Sequence, residues 1–127
     1  MGYTNYWDQP TNFTDQEWNA VREEFEYIRG IAQDKIDVEE TSDCIEFNGS
    51  RSSRGGGCET FVLFKEVPTK KRYPEQKLEF NYCKTRGSEY DIYVWHLLTF
   101  CQMIKKDFVA SRDGWSYEKI NKIGEIA

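Results

Sequence analysis

Residues 83–108, with the sequence CKTRGSEYDIYVWHLLTFCQMIKKDF, contain the most apolar helical pattern of the chain. Ten apolar residues fall within the thirteen positions 92–104, whereas a surface helix carries a single apolar stripe. Ser88 and Asp91 are spaced as a variant capping box, which predicts that the helix begins at Glu89. A helix of this kind is buried or makes a second contact, so we expect the rest of the fold to be arranged around it.

The composition limits the class of protein. A length of 127 residues predicts a single domain, 1–127, and the net charge of −5 argues against general nucleic-acid binding and membrane-surface binding. The sequence has neither a signal-peptide pattern nor a membrane-spanning run, so a cytosolic protein is expected. Four cysteines without CxxC spacing and one histidine predict reduced thiols, no metal site and no cofactor.

Periodicity predicts the order of helices and strands. Thr14 and Glu17 are spaced as a capping box, and the helical pattern that follows runs to about Gly30 or Gln33. Strands are predicted at residues 2–7, 44–48, 59–65, 78–83 and 107–111, loops at 34–43, 49–57 and 66–77, and a short third helix at 117–126. The expected fold is an α+β domain in which an antiparallel sheet of about 4–5 strands carries two main helices packed on one face.

The predicted core combines both helices with the inward faces of the strands. Its expected members are Trp18, Phe25, Phe61, Leu63 or Phe64, Phe80, Leu97 and Phe100. The inward side of the second helix is expected to centre on Tyr93, Leu97, Phe100 and Ile104. Trp95 and Leu98 then lie on the opposite side, and two large apolar groups there predict a homodimer through this face. The alternative is that residues 117–126 cover it.

Four segments in order along the chain resemble a family of small tailed-phage proteins. They are MGYTNYW, IEFNG, ETFVLF and NYCKTRGSEYD, and family members often begin MGYTHYW and carry a related ETF strand and an F-CKT-x-x-x-P-Y-D segment before an apolar helix. Here Asn5 replaces the usual His, and Glu89 stands where a Pro often starts the helix. The resemblance implies a phage origin and an accessory role in the cytoplasm of the infected bacterial host, and it implies no reaction.

Residues 49–57, GSRSSRGGG, form the first candidate binding segment. Arg51 and Arg54 flank two serines and precede three glycines, and guanidinium groups beside exposed backbone N–H groups suit phosphate. The segment is not a P-loop, because it lacks GK[ST] and a following helix. The alternative is a mobile hairpin loop that binds nothing.

Lys84, Thr85 and Arg86 form the second candidate segment, between a predicted strand and the apolar helix. A helix N-terminus attracts anions through its free N–H groups and its dipole, so these residues are well placed for an anionic ligand. Glu59 or Asp91 is expected to hold Arg86 in place. The alternative is an ordinary strand-to-helix turn with its own ion pairs.

Aromatic and catalytic residue types supply the remaining candidates. Tyr3, Tyr6 and Trp7 either stack on a base or fill the edge of the core. His96 is expected to be a core histidine. Cys83 or Cys58 could serve with His96 as nucleophile and base, but nothing in their spacing indicates that they meet.

Three functions follow as hypotheses. The first is a small phage counter-defence protein that binds and sequesters an anionic, nucleotide-type host immune signal. The second is a protein–protein inhibitor of a host defence protein or host enzyme, acting through the acidic surface of the chain. The third is a nucleotide-signal hydrolase, although no catalytic residue can be assigned. The binding residues expected for the first are Arg51, Arg54, Lys84, Thr85, Arg86, Tyr3, Tyr6, Trp7, Glu59 and Asp91.

Overall fold

The computed structural model describes residues 4–70 and 77–113 and the backbone of residues 115–116. The elements in these residues are β1 (Thr4–Asp8), α1 (Asp15–Ala32), β2 (Ile36–Thr41), β3 (Cys44–Gly49), β4 (Phe61–Phe64), β5 (Phe80–Lys84), α2 (Asp91–Ile104), β6 (Val109–Arg112) and β7 (Trp115–Ser116). The predicted α+β class is confirmed. Tyr3 and the predicted third helix at 117–126 lie outside the described residues, as does part of the predicted loop at 66–77.

The strands form two antiparallel sheets, and the prediction of one sheet was wrong. The first sheet has the order β5-β1-β6-β7, and the second sheet has the order β2-β3-β4. β5 does not pair with β4, the strand before it in the chain; it pairs with β1, from Thr4 opposite Lys84 to Asp8 opposite Phe80. The alternation within a strand predicts its two faces and not its partner, which is why the sequence did not separate the two sheets.

One core joins both sheets to α1. The ring of Trp7 in the first sheet lies 5.1 Å from that of Phe61 in the second, and Phe61 lies 5.1 Å from Phe47. Phe47 in turn stacks on Phe25 of α1 at 5.4 Å. The predicted core members Trp18, Phe25, Phe61, Leu63 and Leu97 are buried. Phe100 is half-buried and packs against this core, whereas Phe80 is 39 % exposed, so the prediction was wrong for Phe80.

The start of α1 follows its sequence signal. The backbone N–H of Glu17 donates to Thr14 Oγ1 at 3.0 Å, and the backbone N–H of Thr14 donates to Glu17 Oε1 at 2.8 Å, which confirms the capping box. The buried residues of the helix recur at helical spacing: Trp18, Val21, Phe25, Ile28 and Ala32. Local chemistry and burial therefore agree along the whole helix.

β2 occupies the acidic segment that was predicted to be a loop. It pairs in register with β3 from Ile36 opposite Gly49 to Thr41 opposite Cys44. Ile36 is buried, while the carboxylates of Asp37 and Glu39 are exposed on the other face. The prediction failed because the number of acidic residues masked an alternation of period two, which is the pattern of a half-buried strand.

The inward face of β5 is the reverse of the prediction. Cys83 is fully buried, whereas Phe80 and Tyr82 are 39 % and 50 % exposed. Both alternating sets of this strand contain apolar residues, so the pattern alone does not identify the core side. The pairing with β1 decides it, because Asn5 and Trp7 share the inward face with Cys83 and are themselves buried.

α2 begins two residues later than predicted and is rotated from the predicted orientation. Its N-cap is Tyr90 without a side-chain cap, so the expected capping box of Ser88 and Asp91 is absent. The buried residues are Asp91, Val94, Leu97, Leu98 and Cys101. Tyr93, Phe100 and Ile104, expected to face inward, are only half-buried.

The surface expected to form a homodimer is largely covered within the chain. Leu98 is fully buried, and Trp95 is half-buried with the guanidinium of Arg112 at 4.8 Å from its ring centroid. The homodimer therefore stays a prediction, but Trp95 and Leu98 do not form the exposed apolar pair from which it was inferred. Within the part of the chain that the structure describes, no helix combines the length and the apolar character needed to cross a membrane.

Candidate binding site

The 49–57 loop is held by hydrogen bonds at its base, within it and to the segment that follows α1. Asn48 Oδ1 accepts the backbone N–H groups of Gly49 at 2.8 Å and Cys58 at 3.0 Å, which closes the base of the loop. Inside the loop, Ser53 N–H donates to the Ser50 carbonyl at 3.1 Å. The Ser50 hydroxyl donates to the carbonyl of Asp34, which ties the loop to the end of α1.

The loop lies against the turn between β5 and α2, so the two candidate segments meet. The backbone N–H of Arg54 donates to Glu89 Oε1 and the N–H of Glu89 donates to the Arg54 carbonyl, both at 2.8 Å. The Ser88 hydroxyl donates to the Gly55 carbonyl at 3.2 Å. A Cβ on Gly55 would stand 2.9 Å from Ser88 Oγ, so this close approach requires glycine.

Glu89 joins these two segments to a third element. Its carboxylate accepts the Arg54 N–H and also binds Lys35 Nζ at 3.2 Å. The Arg54 hydrogen bond, followed by that of Lys35, holds the pKa of Glu89 below its usual value. From the sequence, Glu89 was expected only to begin the second helix. Glu89 contacts Arg54 and Lys35, which are distant from it in the sequence, and residue spacing does not predict such contacts.

Arg86 occupies a strained backbone position in the turn. Its φ is +56°, that of Gly87 is +72°, and Ser88 N–H donates to the Thr85 carbonyl at 3.0 Å, the pattern of a type I′ turn. The left-handed conformation costs a residue with a Cβ about 1–2 kcal/mol. The Arg86 guanidinium reaches back to the Gly57 carbonyl at 3.2 Å, so the strained residue itself bridges the turn and the loop.

Glu59 anchors the backbone of Lys84, and it does not hold Arg86 as expected. Glu59 Oε1 accepts the Lys84 N–H at 2.8 Å, and Glu59 N–H donates to the Lys84 carbonyl at 3.1 Å. The buried Tyr90 hydroxyl donates to the Glu59 carbonyl at 2.6 Å. Burial is the main reason that the pKa of Tyr90 is raised far above its usual value, so the hydroxyl stays a donor.

Asp91 and Thr85 belong to one buried hydrogen-bond network, and Asp91 forms its ion pair with Arg112 and not, as expected, with Arg86. Asp91 Oδ1 accepts hydrogen bonds from Asn5 Nδ2 at 2.8 Å and from Thr85 Oγ1 at 2.6 Å. Asp91 Oδ2 forms an ion pair with Arg112. Asn5 Oδ1 is buried without a hydrogen-bond partner among the described residues, so this amide contributes a single hydrogen bond. We call these four residues the Asp91 network.

The N-terminus of α2 does not offer free donors to an anion, which corrects the reasoning for the second candidate segment. The N–H groups of Asp91, Ile92 and Tyr93 donate to the carbonyls of Ser88, Glu89 and Tyr90 at 2.9, 3.3 and 3.0 Å. The carboxylate of Asp91 also lies at this end of the helix. Any anion attracted here would therefore be bound by side chains, not by the helix terminus.

The basic residues of the two candidate segments lie at the surface, unlike Thr85 and Asp91. Arg51, Arg54, Lys84 and Arg86 are all exposed. Among the described residues, none of the four forms an ion pair with a carboxylate. We call these four residues, on the joined loop and turn, the basic rim. The neighbouring carboxylates of Glu59 and Glu89 are already bound to backbone N–H groups.

The aromatic candidates divide between core and surface. Trp7 is 3 % exposed and belongs to the core, so it is not a stacking surface, and Tyr3 lies outside the described residues. Tyr6 is half-buried, and its hydroxyl donates to Asp113 Oδ1 at 3.0 Å. Phe80, which was predicted to be buried, and Tyr82 join it on the outer face of the first sheet.

The arrangement gives no support to cysteine catalysis. Burial is the main cause that raises the pKa of the Cys83 thiol to about 12, which opposes formation of a nucleophilic thiolate. His96 Nε2 lies 2.6 Å from Glu24 Oε2 between the two helices, and the side chain is partly exposed instead of being a core histidine. Among the residues that the structure describes, no group of His, Cys, Asp or Glu side chains is arranged to hold a metal ion.

Comparisons of the chain with protein-family models, with curated proteins and with solved structures find no match. The function is therefore argued from the geometry of the basic rim and its surroundings.

Proposed function

We propose that this protein binds a small anionic ligand of nucleotide type at the basic rim and acts as a phage counter-defence protein that sequesters a host immune signal. The observation that carries the proposal is the contact between the 49–57 loop and the 84–88 turn. It joins the two segments that carry Arg51, Arg54, Lys84 and Arg86, and all four residues are exposed. Guanidinium groups bind phosphate oxygens through paired hydrogen bonds, so such a cluster favours phosphate over a single carboxylate.

The local charge supports an anionic ligand despite the acidity of the chain as a whole. The formal net charge is −5, yet the two carboxylates nearest the rim are engaged by the backbone N–H groups of Lys84 and Arg54. Lys35 forms an ion pair with Glu89 and so offsets the charge of that carboxylate. A group of cations in an acidic protein creates a local field that attracts anions and repels cations.

The backbone of Arg86 gives independent support. A residue with a side chain is held at φ +56°, where glycine is the usual choice and where strain of about 1–2 kcal/mol is retained. Strained positions cluster at ligand-binding sites, because folding stability alone favours their replacement. The arginine at this position is therefore better explained by binding than by folding.

Sequestration, as opposed to hydrolysis, is the form of the proposal that fits the residues. The thiol of Cys83, which was considered as a nucleophile, has a raised pKa, and His96 is engaged with Glu24. The assignment to counter-defence in an infected bacterial cell rests on the resemblance of MGYTNYW and the related segments to a tailed-phage family.

A second candidate function is inhibition of a host protein through an acidic surface. The outer face of the second sheet carries Asp37, Glu39 and Glu46 around a shallow groove of about 260 Å³. A surface of one charge suits a basic partner and would speed association. In this reading, neutralising these carboxylates would weaken binding of the partner, while changes at the basic rim would have no effect.

The test of the proposed function is a thermal-shift screen against cyclic nucleotides and ADP-ribose derivatives, with the ligand re-isolated afterwards. A shift with intact ligand is expected, whereas altered ligand would indicate an enzyme. Absence of a shift with every compound would contradict the proposal and favour the protein-partner function. For a ligand found in this way, Arg86→Ala should weaken affinity about 10- to 150-fold, the value of a charged hydrogen bond.

Two further variants make the Arg86 result specific. Lys106→Ala removes an exposed cation beyond the far end of α2, about 20 Å from the site along a helix of 14 residues, and should leave affinity unchanged. Arg86→Gly should lose affinity like Arg86→Ala, but should be more stable than it by up to about 1 kcal/mol, because glycine relieves the left-handed strain. Unchanged affinity in Arg86→Ala and in the double variant Arg51→Ala, Arg54→Ala would exclude this site.

A further inference from the structure

Three aromatic side chains form a continuous exposed surface next to the basic rim. Tyr6 on β1 lies opposite Tyr82 on β5, and Phe80 follows on the same face of β5. Phe80 is 39 % exposed, Tyr82 is 50 % exposed and Tyr6 is half-buried. We call these three residues the aromatic ledge. The opposite face of the same strands carries the buried Trp7 and Cys83, so the ledge is the outer surface of the sheet and not a gap in the core.

The ring of Phe80 stacks on that of Tyr6 and is tilted against that of Tyr82. The centroids of Tyr6 and Phe80 are 5.9 Å apart with the ring planes inclined by 24°, and those of Phe80 and Tyr82 are 6.4 Å apart at 36°. Aromatic groups on neighbouring strands stabilise one another, which accounts for part of this arrangement. These contacts do not explain why the rings are exposed, because apolar surface left in contact with water is unfavourable.

The register of the strands places the ledge beside a cation of the basic rim. Lys84 follows Tyr82 by two residues and therefore projects from the same face, about 7 Å further along the strand. The backbone of Lys84 is fixed by Glu59. An exposed aromatic surface and a positive charge at this separation match the two ends of a nucleotide, whose sugar joins an aromatic base to a phosphate.

We propose that the aromatic ledge binds the base of the ligand whose phosphate is bound by the basic rim. The inference rests on the proposed function and deepens it. It assigns Tyr82 and Phe80 to the site, and it makes the ligand a nucleotide and not a sugar phosphate or an inorganic anion. Stacking of a base on an aromatic side chain contributes free energy through the π-face that every base has, so the ledge favours nucleotides without selecting one base.

The test compares ATP with inorganic triphosphate, which carries the phosphate chain without the base. Calorimetric titration of the unmodified protein should give tighter binding of ATP. In Tyr82→Leu, ATP should bind about 5- to 150-fold more weakly, the loss expected for one stacked base, while the affinity for triphosphate should not change. Tyr27→Leu is the matched control, because Tyr27 is 61 % exposed on α1 and should affect neither ligand.

The outcomes separate the two proposals. Equal affinity for ATP and triphosphate, with no effect of Tyr82→Leu, overturns the base-binding role and leaves the anion site in place. Failure of both compounds to bind contradicts phosphate binding at the basic rim, on which the proposed function depends, and the inference falls with it. Sedimentation of the same samples adds a third outcome. A dimer that dissociates in Tyr82→Leu would assign the ledge to a second copy of the chain and overturn the inference.

Discussion

The turn between β5 and α2 has two sides that differ in almost every physical respect. Thr85 is fully buried and joins the Asp91 network, in which the carboxylate is shared among an amide, a hydroxyl and a guanidinium. Its neighbours Lys84 and Arg86 are exposed, and among the described residues neither forms an ion pair. The middle residue of the three thus belongs to a cluster in which the charges of Asp91 and Arg112 offset one another. The residues on either side of it carry positive charges that no described carboxylate offsets.

This difference indicates how stability and binding are divided within one short segment. The buried side fixes the turn against β1, α2 and β6, because the Asp91 network takes one residue from each of them and one from the turn. The exposed side then presents its cations without having to be ordered by a ligand, which lowers the entropic cost of binding. Changes on the buried side should therefore reduce stability, and changes on the exposed side should reduce affinity.

The largest effect is expected for Asp91→Ala. The substitution leaves the Asn5 amide, the Thr85 hydroxyl and the Arg112 guanidinium without their shared acceptor, and loss of one partner of a buried pair costs about 3–5 kcal/mol. Because the Arg112 side chain is 24 % exposed, we expect about 3 kcal/mol in a denaturant titration. Lys84→Ala, on the exposed side, should change stability by less than about 0.5 kcal/mol. Equal losses in the two variants would abolish the distinction between the sides.

A smaller effect should separate Gly55→Ala from Gly56→Ala. Both glycines have positive φ, +84° and +66°, so alanine is strained at either position by about 1–2 kcal/mol. Only at Gly55 would the new Cβ meet Ser88, at 2.9 Å from Oγ, whereas nothing lies within 4 Å of the Cβ at Gly56. Gly55→Ala should lose about 1–2 kcal/mol more and should also weaken ligand binding. Identical stability and affinity in the two variants would show that the loop and the turn are not coupled.

The smallest effect concerns the pH dependence that Glu89 contributes. Its pKa is depressed in the folded protein, chiefly by the Arg54 N–H and then by Lys35, so its stabilising contribution is present above the unfolded value of about 4.3. The contribution is lost as the pH falls through the lower folded pKa. The difference in unfolding free energy between the unmodified protein and Glu89→Gln should be positive between about pH 5 and 7 and should shrink below about pH 4. A difference that stays constant down to pH 3 would contradict this assignment.

The sequence predicted the features that depend on residues close together in the chain. The capping box of Thr14 and Glu17 located α1, and the basic residues of the loop and the turn were identified by composition alone. It did not predict the contact of Arg54 with Glu89, or the partners of Asp91, because these bonds join distant segments. The inward face of β5 was reversed since Phe80 and Tyr82 are as apolar as a core residue, and only the pairing with β1 decides the face.

The central position of β1 has a consequence for how the chain folds. β1 is bonded to β5 on one side and to β6 on the other, through pairs such as Thr4 with Lys84 and Asn5 with Arg112. The first sheet therefore cannot close until the chain has been synthesised to Arg112, whereas α1 and the hairpin of β2 and β3 need only local contacts. Contacts between residues distant in sequence slow folding. We expect α1 and the second sheet to form early, while β1 is still unpaired. The basic rim should then form in the last step, when β5 pairs with β1.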